Sequence, residues 1–300
     1  MNIFSKLFYH TWNIGFIEQP IEEILLSNSS RVKVHWVKHN FKDRFFADPF
    51  ILSIDDNVIN VLVEDFPYYY KRGQISLLVI DRKTYKLIEK KEVLKQPFHM
   101  SYPFIMHKSD GSIWVAPEAS QSGSLYRYDL NSKTFMLENQ KILLSEKALD
   151  STIIEHKGKF WLFCTKRGKD SNKKLFIYYG NTPEGPWNAH PYNPVVCNST
   201  MARPAGYMVK IDENIYRVSQ KCDKSYGEAI NVSRIDVLSE TSFKETFIKE
   251  LRAQNDKYSG GFHTINGWGS ICVVDGNNHR DFAPFRRCFY EIINKLQHLF

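Results

Sequence analysis

Along most of the chain, apolar residues come in short stretches that alternate with polar ones and stop at Asp, Asn, Gly or Lys. That period of two, broken by turn formers, predicts strands joined by tight turns. Five such stretches share one plan: a polar or Pro-containing opening, a first strand, a turn, and a second apolar strand. They read ADPFILSIDDNVINVLVED, SYPFIMHKSDGSIWVAPEA, DSTIIEHKGKFWLFCTK, ARPAGYMVKIDENIYRVSQK and GFHTINGWGSICVVDG, starting near Asp48, Tyr102, Asp150, Arg203 and Phe262 with spacings of 54, 48, 53 and 59 residues. Further strand-like pieces follow the first four, at 74–81, 124–129, 174–179 and 228–235.

A period near 50 residues with about four strands per unit predicts the blades of a β-propeller, here with five blades. The fifth unit runs out of strands before Arg280, and the spare N-terminal strands at 12–17 and 32–37 are expected to complete it. Ring closure of this kind protects sheet edges that would otherwise pair with other chains. Residues 1–280 are therefore expected to form one all-β propeller. From 281 to 300 the apolar residues Phe285, Phe289, Ile292, Ile293, Leu296 and Leu299 take helical spacing, with Arg286, Arg287, Glu291 and Lys295 on the other face, which predicts a short amphipathic helix.

Composition agrees with this reading. Sixteen Tyr, twenty-one Phe and six Trp suit pleated sheet. No stretch reaches the roughly 18 apolar residues that cross a bilayer, and the first residues lack a signal-peptide core, so a cytoplasmic location is expected. The five cysteines are far apart and form no CxxC pair, which predicts neither a disulfide framework nor a zinc site, and no cofactor motif is present. The net charge of +7 favours an acidic partner, but the basic residues are dispersed without a nucleic-acid-binding motif. Peripheral membrane contact is expected through the basic C-terminal helix.

The repeat also sorts the polar residues. In a propeller the first strand of each blade runs along the channel and the second returns antiparallel to it. Residues opening the first strand (Asp48, Ser101, Tyr102, Asp150, Arg203, His263) and residues ending the second (Glu64, Asp65, Glu118, Lys166, Arg167, Gln220, Lys221, Asp275) therefore share one channel mouth. Paired carboxylates across a gap suit sugar chemistry, one as base and one as acid. The cations favour a phosphate.

ADPF at 47–50, the DSTII strand at 150–154 and NTPEGPW at 181–187 resemble the five-bladed propeller glycosidases, in particular glycoside hydrolase family 43. WNIGFI, FFADPF, APEAS, ARPAG and GFHTIN are more closely similar to the N-terminal propeller domain of plant glucosamine inositolphosphorylceramide transferases and related bacterial proteins. The resemblance to the hydrolases implies a general base at Asp48 and an acid-tuning carboxylate at Asp150. It implies a Glu opening the fourth blade as general acid, where this sequence has Arg203.

Arginine, with a pKa above about 12, does not donate a proton usefully near neutrality. The reading that follows is a glycosyltransferase-type enzyme of surface glycan or glycolipid assembly, with Asp48, Asp150 and Glu118 catalytic. Around them Glu64, Asp65, Tyr102, Lys166, Arg167, Arg203, Lys221 and His263 are expected to bind the substrate, a sugar donor or glycan, including a phosphate-bearing one, with no metal ligand. The alternatives are an inverting hydrolase with Glu118 or Glu64 as a displaced acid, and a glycan-binding propeller without turnover.

Overall fold

The computed structural model describes residues 11–254 and 257–278. The helix predicted over 281–300 lies outside them. The described residues form a five-bladed β-propeller, each blade an antiparallel sheet of four principal strands. Blade I is Arg44–Ile54, Val58–Pro67, Gln74–Asp81 and Leu87–Leu94. Blade II is Ser101–His107, Ile113–Glu118, Leu125–Leu130 and Leu137–Leu144. Blade III starts at Ala148–His156 and continues through Lys159–Lys166 and Lys174–Gly180, with the short Asn188–Ala189 and Val196–Cys197 at its edge.

Blade IV departs from the sequence reading at its opening. Its innermost strand is only Val209–Ile211, not a strand begun at Arg203, and Pro204 contributes a single bridge to Ser219. Pro204 has no amide hydrogen for a ladder. Gly206 takes φ +141° and lies so close to the backbone of Ile265 that a Cβ would collide with its carbonyl. ARPAG is thus an irregular opening of blade IV, bonded to its second strand through the Arg203 carbonyl and the Ala205 amide and to blade V through the Ala205 carbonyl. Asn214–Lys221, Ala229–Ser239 and Ser242–Ala253 complete the blade, and Arg31–Val32 adds a parallel edge to the last of them.

Blade V is built from both ends of the described chain. Ile265–Trp268 pairs with Ile271–Asn278, whose residues 272–278 pair with all of Thr11–Ile17, and His35–Trp36 adds the outer edge. Of the spare strand expected at 32–37, the Val32 end goes to blade IV and the Trp36 end to blade V.

The core follows from alternation. One face of each strand meets the blade before it and the other the blade after it, so apolar clusters fill the gaps between blades. Ile14 and Phe16 join Ile51, Val61 and Val273 between blades V and I. Ile154, Phe163, Ile215 and Ile235 pack between blades III and IV. The short helix Ile21–Leu26 buries Ile21, Ile24 and Leu25 against the cluster of blades IV and V. Among the described residues, no helix is long and apolar enough to cross a membrane.

Closure has a tight point. At Gly276 an added Cβ would overlap the Trp36 ring and sit 2.6 Å from the Tyr258 carbonyl. Gly276→Ala is therefore expected to cost about 1–3 kcal/mol, read as a fall of a few degrees in Tm, because strand and ring cannot both keep their places.

Candidate functional site

The channel-facing residues are aimed by a repeated local distortion. Asp48, Tyr102 and Asp150 occupy equivalent positions in blades I, II and III, and each has left-handed backbone, φ 50°, 42° and 49°. Each lies at a break in the pairing of the first two strands. Such a bulge re-aims a side chain out of the regular alternation, here those of Asp48 and Asp150 towards the channel. Arg203 and His263 hold the equivalent places in blades IV and V.

Two polar groups result. In the first, Asp275 anchors blade V to blade I: its carboxylate accepts the backbone amides of Asp48, His263 and Thr264 and the Nδ1–H of His263 at 2.6 Å. Asp48 accepts Thr264 Oγ1–H at 2.9 Å and the Tyr102 amide at 3.3 Å. His263 is stacked on Trp12 with centroids 4.0 Å apart, and Tyr226 meets it edge-on. Glu64 lies beside this group, 3.6 Å from His99 Nε2. Gly73 donates its amide to His99 Nδ1, so the ring proton of the neutral imidazole sits on Nε2, facing Glu64.

In the second group Arg203 grips Asp150 with two nitrogens, reaches Asn172 Oδ1 at 3.0 Å, lies 3.7 Å from Glu118 Oε2 and stacks over Tyr226. Gln220 Nε2 donates to Asp150 at 2.7 Å. Ser120 and Ser101 donate their hydroxyls to the two oxygens of Glu118.

Burial and crowding set the protonation states. Burial, opposed by His263 and reinforced by Asp150 and Asp275, pushes Asp48 up to about 6. Burial first, then Asp150, pushes Glu118 up to about 8 against the pull of Arg203. Burial holds Glu64 well above the ordinary carboxylate range, with Asp48 the neighbouring charge that adds most. His99 is pushed down to about 4 by burial and then by Arg203 and Arg167. For His263 burial pulls downward, but Asp275 and Asp48 outweigh it and the net shift is upward. Near neutrality, then, Asp48 is mostly ionised while Glu118 carries its proton.

These residues border a cavity of about 570 Å³ at the channel mouth. Of the residues expected from sequence, Asp48, Glu64, Glu118, Arg167, Arg203 and His263 line it. Asp150 sits beneath Arg203, fully buried.

Four expected binders are placed elsewhere. Asp65 faces the opposite side of its strand from Glu64 and is consumed by Arg44, Lys90 and Ser76. The Tyr102 ring turns into the core, where its hydroxyl meets Thr152. Lys166 pairs with Glu146 and packs over Phe176. Lys221 pairs with Glu250. For Asp65, Lys166 and Lys221 the reason is alternation: neighbours in a strand point to opposite faces, so of each strand-ending pair Glu64, Arg167 and Gln220 turn towards the channel residues instead. The sequence reading did not carry Trp12, His99 or Tyr226 into the site, although all three line the cavity. His99 and Tyr226 come from connecting segments without repeat equivalents.

Asp48, His263 and Asp275 place one donor atom each within 4.8 Å of one another, the spacing of a cation site. Their donor atoms are already engaged by the amides, the Thr264 hydroxyl and the imidazole N–H described above, so the trio is satisfied by protons alone.

Comparison with known proteins gives three findings. The family described as "Glucosamine inositolphosphorylceramide transferase 1, N-terminal" matches residues 26–269. Glucosamine inositolphosphorylceramide transferase 1 of Arabidopsis thaliana is 31% identical over 206 residues, 67% of this chain and 27% of that protein. The protein of the same name from Oryza sativa subsp. japonica is 27% identical over 269 residues, 83% of this chain and 35% of that protein. The chain thus spans about a third of the length of these curated relatives.

Among solved structures, a thermostable family-43 glycoside hydrolase superposes with a TM-score of 0.52 at 12% identity, covering 81% of this chain and 96% of that one. An exo-β-1,3-galactanase from Clostridium thermocellum gives 0.53 at 9% identity, covering 73% and 57%. At such identities the likeness is one of fold.

Proposed function

The chain belongs to the family of the glucosamine inositolphosphorylceramide transferase 1 N-terminal region, and from that membership we propose that its channel mouth is a glycosyl-transfer site acting on a carbohydrate. One observation carries the reading: two carboxyls of opposite protonation state border the same aromatic-edged cavity. Asp48, ionised, takes the proton of an acceptor hydroxyl as its oxygen attacks the anomeric carbon. The bond from that carbon to the leaving oxygen breaks, and Glu118 gives its proton to that oxygen. Glu118 is preferred to Glu64 as the acid because it lies 3.7 Å from Arg203, which holds the place where the hydrolase resemblance puts the acid, whereas Glu64 lies against His99. Trp12, Phe45 and Tyr226 give the sugar ring apolar faces.

The test is a turnover screen of activated sugar donors and aryl glycosides followed by a pH profile. The rate should rise as Asp48 ionises through about 6 and fall as Glu118 loses its proton through about 8, a bell with its maximum near neutrality. Glu118→Gln, which cannot donate that proton, should lower the maximum and remove the alkaline limb. An unchanged bell in this variant would refute the assignment.

A second reading, glycan recognition without turnover, is favoured by Arg203 at the position where the hydrolase resemblance expects an acid. Sugar binding with no turnover across the whole screen would select it.

A further inference from the structure

The cation-rich cavity of this propeller is not the channel mouth. Between blades V and I lies a second cavity, of about 840 Å³, whose lining includes Lys38, Lys42, Arg44, Lys86, Lys90 and Lys257 and no Asp or Glu. Arg44 and Lys90 are neutralised by Asp65. Lys38, Lys42, Lys86 and Lys257 have no carboxylate within ion-pair distance among the described residues, and all four are exposed. Four unneutralised ammonium groups around one concavity repel one another, a cost that an anionic ligand relieves. Two further observations point to such a ligand. His39, also in the lining, is pushed down to about 4 by burial and then by Lys42 and Lys257, so the positive field is felt inside the cavity. Its Nδ1 is buried without a hydrogen-bond partner among the described residues.

The position of the groove matters as much as its charge. Trp12 lines both cavities, one ring separating them. Arg44 and Phe45, consecutive on the innermost strand of blade I, line one cavity each. At the channel mouth Arg203 is already neutralised by Asp150, and the ionised Asp48 borders the same cavity, which disfavours a phosphate there. Trp36, Phe41, Tyr68 and Tyr258 give the basic groove aromatic faces beside its charges.

We propose that this groove is the phosphate subsite of a phosphate-bearing sugar substrate, whose sugar reaches past Trp12 into the channel mouth. The sugar half of the proposal rests on the glycosyl-transfer reading; the phosphate half stands without it. The phosphate comes either from a soluble nucleotide or from a lipid headgroup, and both present the same chemistry to the lysines.

The test is equilibrium titration of the full chain at low salt with inorganic pyrophosphate, with UDP, and with vesicles of phosphatidylcholine with or without phosphatidylinositol. Lys42→Ala/Lys86→Ala/Lys257→Ala changes exposed side chains only and should leave Tm unchanged. It is expected to weaken pyrophosphate binding about tenfold or more and to flatten its salt dependence. Asp48→Asn should leave pyrophosphate binding as in the parent protein. Whichever of UDP or phosphatidylinositol vesicles loses binding in the triple variant identifies the source. Cleavage of uncharged aryl glycosides, if the screen finds it, should survive the triple variant, so failure of the transfer reading and failure of the phosphate subsite are read separately. No pyrophosphate binding at low salt, or equal binding by parent and triple variant, overturns the proposal.

Discussion

Asp48→Asn is expected to abolish most turnover, by about 10²–10⁴-fold, while leaving the protein folded and able to bind sugar. The substitution is mild for three reasons. Position 48 has φ 50°, a region that asparagine tolerates better than nearly any other residue with a side chain. The amide oxygen of Asn can accept the Tyr102 amide as Asp48 does, and its NH₂ can donate to the Thr264 hydroxyl, which has a free acceptor role. Finally, a fully buried charge disappears. Burial raises the folded-state pKa of Asp48 to about 6, so its ionised form opposes folding above the ordinary carboxylate range. By linkage, its protonated form stabilises at low pH, and that stability is lost as pH rises through about 6. Asp48→Asn should therefore match or exceed the parent Tm at pH 8 and change it little at pH 4. Lost activity at a retained Tm assigns the base. Retained activity removes Asp48 from the mechanism whatever the stability does.

The propeller was legible because its signal is distributed. Five openings repeat, and alternation between them is strong enough to place Gln74–Asp81 and Lys174–Gly180 within a residue of their expected bounds. The channel-mouth cluster was legible for the same reason: Asp48, Asp150, Arg203 and His263 are repeat equivalents, and repeat position dictates where they point. What failed was finer than the repeat. Tyr102 holds the equivalent place in blade II, yet its large ring gains more by entering the apolar cluster beside Phe50 than by standing in the channel. Lys166 and Lys221 end the right strands, but long flexible ammonium stems go to the nearest carboxylate, Glu146 and Glu250. The basic groove was invisible because Lys38, Lys86 and Lys257 come from three distant parts of the chain that only ring closure brings together. Dispersed basic residues in sequence are thus no guide to dispersal in space.

Arg203→Ala is expected to be the most destabilising single change at the site, by about 3–5 kcal/mol, a Tm fall on the order of 10 °C. The guanidinium is the only cation in contact with Asp150 among the described residues, and that carboxylate is 1% exposed. Without it, Asp150 keeps Gln220 Nε2 as a donor but no opposite charge. The loss comes mostly from the stranded carboxylate, not from the pair's own strength, which gives a sharper test than the single variant. In the double variant Arg203→Ala/Asp150→Asn no buried charge is stranded, so it should recover a large part of what Arg203→Ala loses. Additive losses would mean that Arg203 acts through packing on Tyr226 and not through charge. Catalysis reports the same coupling from another side. Arg203 draws the pKa of Glu118 down, so its removal should let Glu118 rise and move the alkaline limb of the pH profile to higher pH. Together, a shifted limb and a charge-dependent rescue would make Arg203 a positioning residue: it occupies the place where the hydrolase resemblance expects an acid, and sets how firmly Glu118 holds its proton.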